Sequence, residues 1–591
     1  MEKFSNIPVL SRKQFLDTLL VLISAELVDS ICGIVDGIVV GRFLGPDAMA
    51  AHGIAVPVFS IMSIFIYLLM AAFQQPCTVC IGRGELKKAN GLYSATMLLS
   101  LALSTVVALI GMLFPHHAAS LLGARGSGPV NVMAADYLRG VFPGTPALVL
   151  FLVLIPVLQI EGKRRLTHIG ALVMGLSDIA FDFLNVKVLH WGMYGIGLST
   201  TLSYLLGLLV LLSYYFDKNR IFHFRLKDIR GIGLRHMFLM GLPTGVRMAC
   251  GALAVVIVNT FMMAVSGPVG MAALSVQQNL GSFLTSMVIA VSGATMLLTG
   301  VSFGEQDRRG LMDIVRMSAH YCLLPISVLG VLVFGLARPL VSLYMNPAEA
   351  SFPLAVDALR WLALSFPLMG WSRCVGSYLQ GIEKNVQAVI LSLFDEMILL
   401  LLCAFVLGKI WGIQGIFASF VVSQVLAVVL VNIQAFLHRD KRYGGMEAFL
   451  GVPPSFGVPP ENRLVRTATT PEEVWALSAE AMDYCLNHGI SRRKAYMASL
   501  YIEEMGNITM LYGFNDGRPH HLEVRLSLNH GEVILRLRDD CRRFDIREKA
   551  AHWEEDPLHP ETTFGVRMVM RGCKILQYDN SLRTNNLLVV L

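Results

Sequence analysis

The chain has 591 residues, 54% of them hydrophobic and only 15% charged, with a mean hydropathy of +0.60. These values exclude a soluble globular domain and indicate a polytopic membrane protein. The net charge of +6 is unevenly spread: the first 450 residues carry 31 Lys and Arg against 23 Asp and Glu, and the remainder 17 against 19, so the excess reflects membrane topology and no nucleic-acid partner is expected.

Apolar runs of about 20 residues, the length that crosses a bilayer as a helix, predict twelve spans. They lie near 15–38, 48–76, 90–114, 135–160, 166–188, 194–216, 236–265, 270–302, 314–337, 353–381, 387–408 and 412–437. Lys3, Arg12 and Lys13 precede the first run with no small-residue cleavage site after a short core, so the first helix is expected to stay as a span. Alternate segments, starting from the N-terminus, hold 22 Lys and Arg; the opposite loops hold only Arg42, Arg125, Lys187, Arg338 and Lys409. By the positive-inside rule both termini are predicted to be cytoplasmic, in a multi-pass protein of the plasma membrane.

The chain repeats itself at about 220 residues. GPDAMAA at 45 is answered by GPVGMAA at 267, GRGELKK near 84 by SFGEQDRR near 304, LQIEGK at 158 by LQGIEK at 379, and WGMYGIG at 191 by WGIQGIF at 411. An even number of spans per repeat keeps both halves in one orientation, so a pseudo-two-fold axis along the membrane normal and a cavity between the halves are expected.

Carboxylates inside apolar runs mark candidate sites, because each costs a few kcal/mol unless it faces water, a partner or a cavity. Glu26, Asp29 and Asp36 lie on the first span, within an arc of about 80° and about 15 Å of depth. Asp178 and Asp182, four residues apart on the fifth span, could face the same N-terminal cavity. In the second half Val258 stands where Asp36 would repeat; Asp395 and Glu396 occur on the eleventh span, and Arg247 and Arg373 on the seventh and tenth. The arginines serve either as partners for carboxylates or as ligands of an anionic substrate.

VDGIVVGRFLGPDAMAAHGIAVP resembles the first-helix and loop signature of the multidrug and toxic compound extrusion (MATE) family, and GRGELKKA, WGMYGIGLST and the repeat fit it over roughly residues 10 to 437. The resemblance implies an all-α membrane part of twelve helices in two six-helix bundles, 1–222 and 223–440. It also implies export of organic cations or other amphiphiles in exchange for H⁺ or Na⁺, with Asp36 at the family's first-helix acidic position. LSDIAFDF resembles the family's Asn-x-x-x-Asp pattern, with Asp178 in place of Asn. The segment 241–265 contains no Asp or Glu, unlike Na⁺-coupled members, which favours protons.

Past residue 440 the composition changes. A Pro-rich linker, 441–468, includes GVPPSFGVPP, expected to be extended and semi-rigid. The domain 469–591 is predicted as a small α/β two-layer sandwich, with helices near 471–488 and 492–513, strands near 521–528, 532–538 and 586–591, and a helix after Gly565. YIEEMGNIT, LRDDCRRFD and the closing segment from FGVRMVM resemble the boxes of histidine-kinase-like ATPases, especially the anti-sigma-factor kinases. That resemblance implies Mg-ATP held by Glu503 as base, Asn507 as metal ligand, Asp539 at the adenine and Gly565 at phosphate. Cys541 and Arg543 replace the second box's Gly and Pro, which departs from that chemistry.

The leading expectation is therefore a secondary active exporter of amphiphilic small molecules that needs no cofactor for transport, with a cytoplasmic regulatory tail. The alternatives are a membrane-tethered signalling protein whose tail acts on a cytoplasmic regulatory protein, and a flippase for a lipid-linked or anionic substrate.

Overall fold

The computed structural model describes residues 7–121, 129–218, 220–453, 455–529, 531–543, 545 and 568–591. Its membrane part is entirely helical. In chain order it comprises α1 (Val9–Val39), α2 (Pro46–Gly82), α3 (Leu86–Leu113), α4 (Pro115–Leu121), α5 (Pro129–Val141), α6 (Thr145–Ile160), α7 (Arg164–Leu184) and α8 (Gly192–Leu212). The second half contains α9 (Leu234–Gly304), α10 (Arg308–Gly335), α11 (Ala337–Ser342), α12 (Phe352–Gly381), α13 (Asn385–Leu393), α14 (Leu399–Trp411) and α15 (Ile413–Leu437).

Eleven helical runs among the described residues are long and apolar enough to cross a bilayer. One of them, α9, has 71 residues and at 1.5 Å per residue measures about 107 Å, more than three times a hydrocarbon core. It contains both predicted spans 236–265 and 270–302, and its helical backbone is broken at Gly267 (φ 61°, ψ −154°), directly before Pro268.

The repeat is written in the backbone. Gly45 and Gly267, each preceding a proline, both have positive φ (91° and 61°), and Gly192 and Gly412 share φ 59°. Where the first half uses Gly84 and Gly162 in its turns, the second places Gln306 (φ 57°) and Glu383 (φ 64°); the turn geometry persists although the residue that adopts it without strain is gone.

At the end of the bundle that carries the basic connections, the halves cross tightly. A Cβ on Gly82 would lie 2.2 Å from the Val301 carbonyl oxygen, and one on Gly304 would lie 2.3 Å from that of Val79. These two glycines occupy equivalent places in the repeats, so α2 and α9 meet backbone to backbone at this face.

The C-terminal part adds α16 (Pro471–Asn487), α17 (Arg492–Gly513) and a sheet of β1 (Arg463–Ala468), β2 (Leu522–Asn529), β3 (Glu532–Asp539), β4 (Ile575–Ser581) and β5 (Thr584–Val590). The helices begin where Thr470 and Ser491 accept hydrogen bonds from the amides of Glu473 and Lys494, the usual N-cap device. The sheet runs β1-β2-β3-β5-β4, and every neighbouring pair is antiparallel. Two strands were not foreseen: β1 lies inside the expected linker, and β4 precedes the predicted last strand. Gly565 lies outside the described residues; residues 568–572 are helical. Alternation sends Val524, Leu526, Leu535, Leu537 and Val589 toward Val474, Ile502 and Met505 on the helices. The opposite face of the sheet, with Arg525, Arg536 and Arg538, lies against the membrane bundle.

Candidate functional site

The sequence-predicted carboxylates of the first half converge. α1 and α7 pack side by side, close enough that a Cβ on Gly175 would stand 2.5 Å from Val28. Asp36 on α1 is within side-chain hydrogen-bond reach of both Asp178 and Asp182 on α7. α8 supplies two hydroxyls: Ser203 Oγ donates to Asp178 Oδ1 at 2.9 Å, and Ser199 bonds to Asp182. Tyr137 on α5 lies within electrostatic range of all three carboxyls, and His52 on α2 stacks edgewise on it at 5.3 Å. Asp36 Oδ1, Asp182 Oδ2 and His52 Nδ1 are buried with no hydrogen-bond partner among the described residues.

Glu26 is half-buried on α1, about 15 Å along the axis from Asp36. Asp29 lies in α1, and its side chain is outside the described set. Asp36 thus meets Asp178 and Asp182, the two residues expected to face the same cavity, in a cluster made between two helices.

The second half has different chemistry. Asp395 Oδ2 accepts from Ser372 Oγ at 2.8 Å and its Oδ1 from Gln424 Nε2 at 3.0 Å. Arg373 Nη2 lies 2.9 Å from Glu396 Oε1, an ion pair mostly shielded from solvent. Arg247 feels Arg373, Glu396, Asp395 and Tyr67 electrostatically, but no carboxylate lies within ion-pair distance among the described residues. Each acidic helix carries a π-helical turn at or just beyond its carboxylates: Val40–Leu44 after α1, Asn185–Leu189 after α7, and Phe394–Ile398 around Asp395 and Glu396. Such turns insert one residue and re-aim the side chains, and they gather at functional sites.

Sequence reasoning did not identify Ser199, Ser203, Tyr137, Ser372 or Gln424. The i, i+4 pair of serines in GLSTTLS carried a usable signal, since both hydroxyls fall on one helix face; the others carried none.

In the C-terminal domain Glu503 and Asn507 sit one turn apart on α17, and Asn507 Oδ1 is buried without a partner among the described residues. Asp539 is differently placed. Its Oδ1 accepts from the Cys541 amide at 3.2 Å, the Cys541 thiol at 2.7 Å and Asn585 Nδ2 at 2.7 Å. Burial holds this carboxyl at about 6, well above its usual range, despite those three bonds. Cys541 also fills the space against α17, where a Cβ on Gly513 would lie 2.5 Å from its Sγ. The side chains present therefore do not fit a nucleotide at the adenine end.

Comparison with known proteins agrees with the membrane architecture. The multidrug export protein MepA of Staphylococcus haemolyticus is 22% identical over 418 residues, covering 70% of this chain and 91% of the relative. A solved outward-facing conformation of a multidrug resistance MATE family transporter of the MOP superfamily is 19% identical with a TM-score of 0.68, covering 72% of this chain and 95% of that one. A MOP superfamily transporter from Pyrococcus furiosus, for which reverse polarity of the binding pocket suggests a different function, is 19% identical with a TM-score of 0.67, covering 72% and 95%. The MatE family model matches residues 22–184 and again 243–407, once in each repeat. With its duplicated helical halves and both matches together spanning more than half its length, the chain belongs to the MatE family of membrane transporters.

Proposed function

We propose that the protein exports amphiphilic small molecules from the cytoplasm in exchange for an inward-moving cation, with Asp36, Asp178 and Asp182 as the coupling site and both termini cytoplasmic. In this reading α9 counts as two spans, which restores twelve helices and the two six-helix bundles.

The observation that carries the reading is the cluster itself. Three carboxyl groups from two helices share one buried site, and Asp36 Oδ1 and Asp182 Oδ2 have no hydrogen bond among the described residues. Such a site gains most from a bound cation and releases it when access changes. The contact between Asp36 and Asp182 favours H⁺ over Na⁺, because two carboxyls can hydrogen-bond each other only through a proton. Substrate breadth follows the relatives, which are named as multidrug export proteins. The test is uptake into proteoliposomes with imposed pH and Na⁺ gradients and a panel of cationic and anionic dyes. Asp36→Asn is expected to lower gradient-driven transport at least tenfold; transport by that variant at the wild-type rate overturns the assignment.

Arg247 supports a second reading. A guanidinium in the membrane with no carboxylate at ion-pair distance is suited to the head of an anionic or lipid-linked substrate. Preference for anionic dyes, lost in Arg247→Ala, would move the assignment there. The tail is read as regulatory and not as a kinase, because Asp539 is committed to Cys541 and Asn585.

A further inference from the structure

The sheet of the C-terminal domain touches both halves of the transporter at the same face. On the first half, the Gly84 carbonyl accepts from Gln577 Nε2 at 2.7 Å, the Ile160 carbonyl accepts from the Leu582 amide at 2.9 Å, and Gln14 Nε2 donates to Thr584 Oγ1 at 2.9 Å. Lys13 pairs with Asp540 at 2.5 Å, and Asp17 with Arg583 at 3.5 Å. On the second half, Arg525 pairs with Asp307, and Arg538 and Arg536 both pair with Glu305. The two carboxylates belong to the turn between α9 and α10, directly after Gly304.

These pairs are well shielded. The Glu305 side chain is 1% exposed and that of Arg538 9%. Burial alone would raise the Asp307 carboxyl, yet Arg525 and neighbouring charges hold it below its usual value. Leu582, at the tip of the β4–β5 hairpin, joins the hydrophobic core of the bundle.

The face so bridged is the one where Gly82 and Gly304 cross. For it to open, the turns of the first half at 82–85 and 160–163 must separate from the turn of the second half at 304–308. A hydrogen-bonded sheet fastened to both sets cannot follow both. We infer that the C-terminal domain is an intramolecular clamp that holds the cytoplasmic face of the transporter closed, and that each transport cycle requires its undocking from at least one half. This inference rests on the exporter reading for its transport consequence and on the geometry alone for its conformational one.

The test uses the full chain in proteoliposomes. Arg525→Glu with Arg538→Glu places like charges opposite Asp307 and Glu305, and is expected to raise dye transport threefold or more. Adding Asp307→Arg and Glu305→Arg re-pairs the charges and should return transport to the wild-type rate, an outcome that a general folding defect does not give. Spin labels at positions 88 and 386, one on each half, with reactive native cysteines replaced, report the gap directly; the reversed variant should populate a longer distance and the re-paired one should not. Leu582→Ala with Gln577→Ala provides the same test if the reversed variant does not fold. Unchanged distances in an undocked variant, or transport that falls with charge reversal and is not restored by re-pairing, overturn the clamp. If no protein moves any dye under any gradient, the exporter reading fails, and the label distances still decide the clamp.

Discussion

At the scale of single residues, the two halves use charge in opposite ways. The first half gathers three carboxyls into one buried cluster, an arrangement that is costly inside a membrane; the second neutralises Glu396 with Arg373 at 2.9 Å. Removing one partner of a shielded ion pair leaves the other uncompensated and costs about 3 kcal/mol. Arg373→Ala is therefore expected to lower the thermal midpoint by several degrees, whereas Arg247→Ala, which strands no partner, is expected to leave it nearly unchanged; a scan of both variants in the same detergent checks this. Asp579 on β4 offers a pH test outside the membrane. Burial first, with Glu305 adding to it, lifts its carboxyl from 3.8 to about 6. A carboxyl raised in the folded state contributes stability that is complete below pH 3.8 and lost as pH rises through about 6. Between pH 5 and pH 7 the wild type should lose stability, and Asp579→Asn should lose less, as read by the difference in thermal midpoints. Residues of this kind were legible in sequence only when charged. A carboxylate in an apolar run is conspicuous, but serine is cheap to bury in a helix: only the i, i+4 spacing of Ser199 and Ser203 carried a signal, and nothing marked Ser372 before its partner was placed.

At the scale of elements, the two helices of the C-terminal domain begin where they were expected, at Pro471 and Arg492, because helix signals are local. The strands β1 and β4 escaped because their signals are not local. β4 and β5 are joined by the two residues Leu582 and Arg583, both at positive φ (52° and 62°), where a tight hairpin normally uses Asn-Gly. No sequence rule points to a turn there. Each such residue costs about 1 to 3 kcal/mol and persists only where surrounding contacts hold it. Those contacts are the insertion of Leu582 into the bundle core and the hydrogen bond that its N–H donates to the Ile160 carbonyl. Leu582→Ala should weaken docking by about 2 to 4 kcal/mol, the usual loss for a large buried aliphatic side chain, and limited proteolysis between residues 453 and 463 should then proceed several-fold faster.

At the scale of the molecule, the repeat was the most readable feature, since matched words at a constant offset need no knowledge of packing. What it did not disclose is which face of the bundle is shut. That depends on Gly82 and Gly304, where any side chain would collide with backbone of the other half, and glycine in an apolar run has many explanations. Gly82→Val is expected to prevent closure, lower transport, and raise the reactivity of nearby Cys80 toward maleimide several-fold, measured by peptide mapping. The expected linker also proved more structured than its prolines implied: Arg308 Nη2 donates to the Pro453 carbonyl at 3.0 Å, and Tyr378 Oη donates to that of Leu450 at 2.8 Å.

That pinned linker sets how strong docking has to be. With the carbonyls of Leu450, Pro453 and Phe456 already held on the bundle, only a few residues separate the anchor from β1, and a short tether of this kind presents the sheet to its partner at an effective concentration on the order of millimolar. An interaction too weak to detect between separate proteins, with a Kd of about 1 mM, then already keeps half of the molecules docked. Modest affinity thus gives a clamp that is mostly closed, and a change of about 1.4 kcal/mol in any of its contacts shifts the ratio of open to closed tenfold.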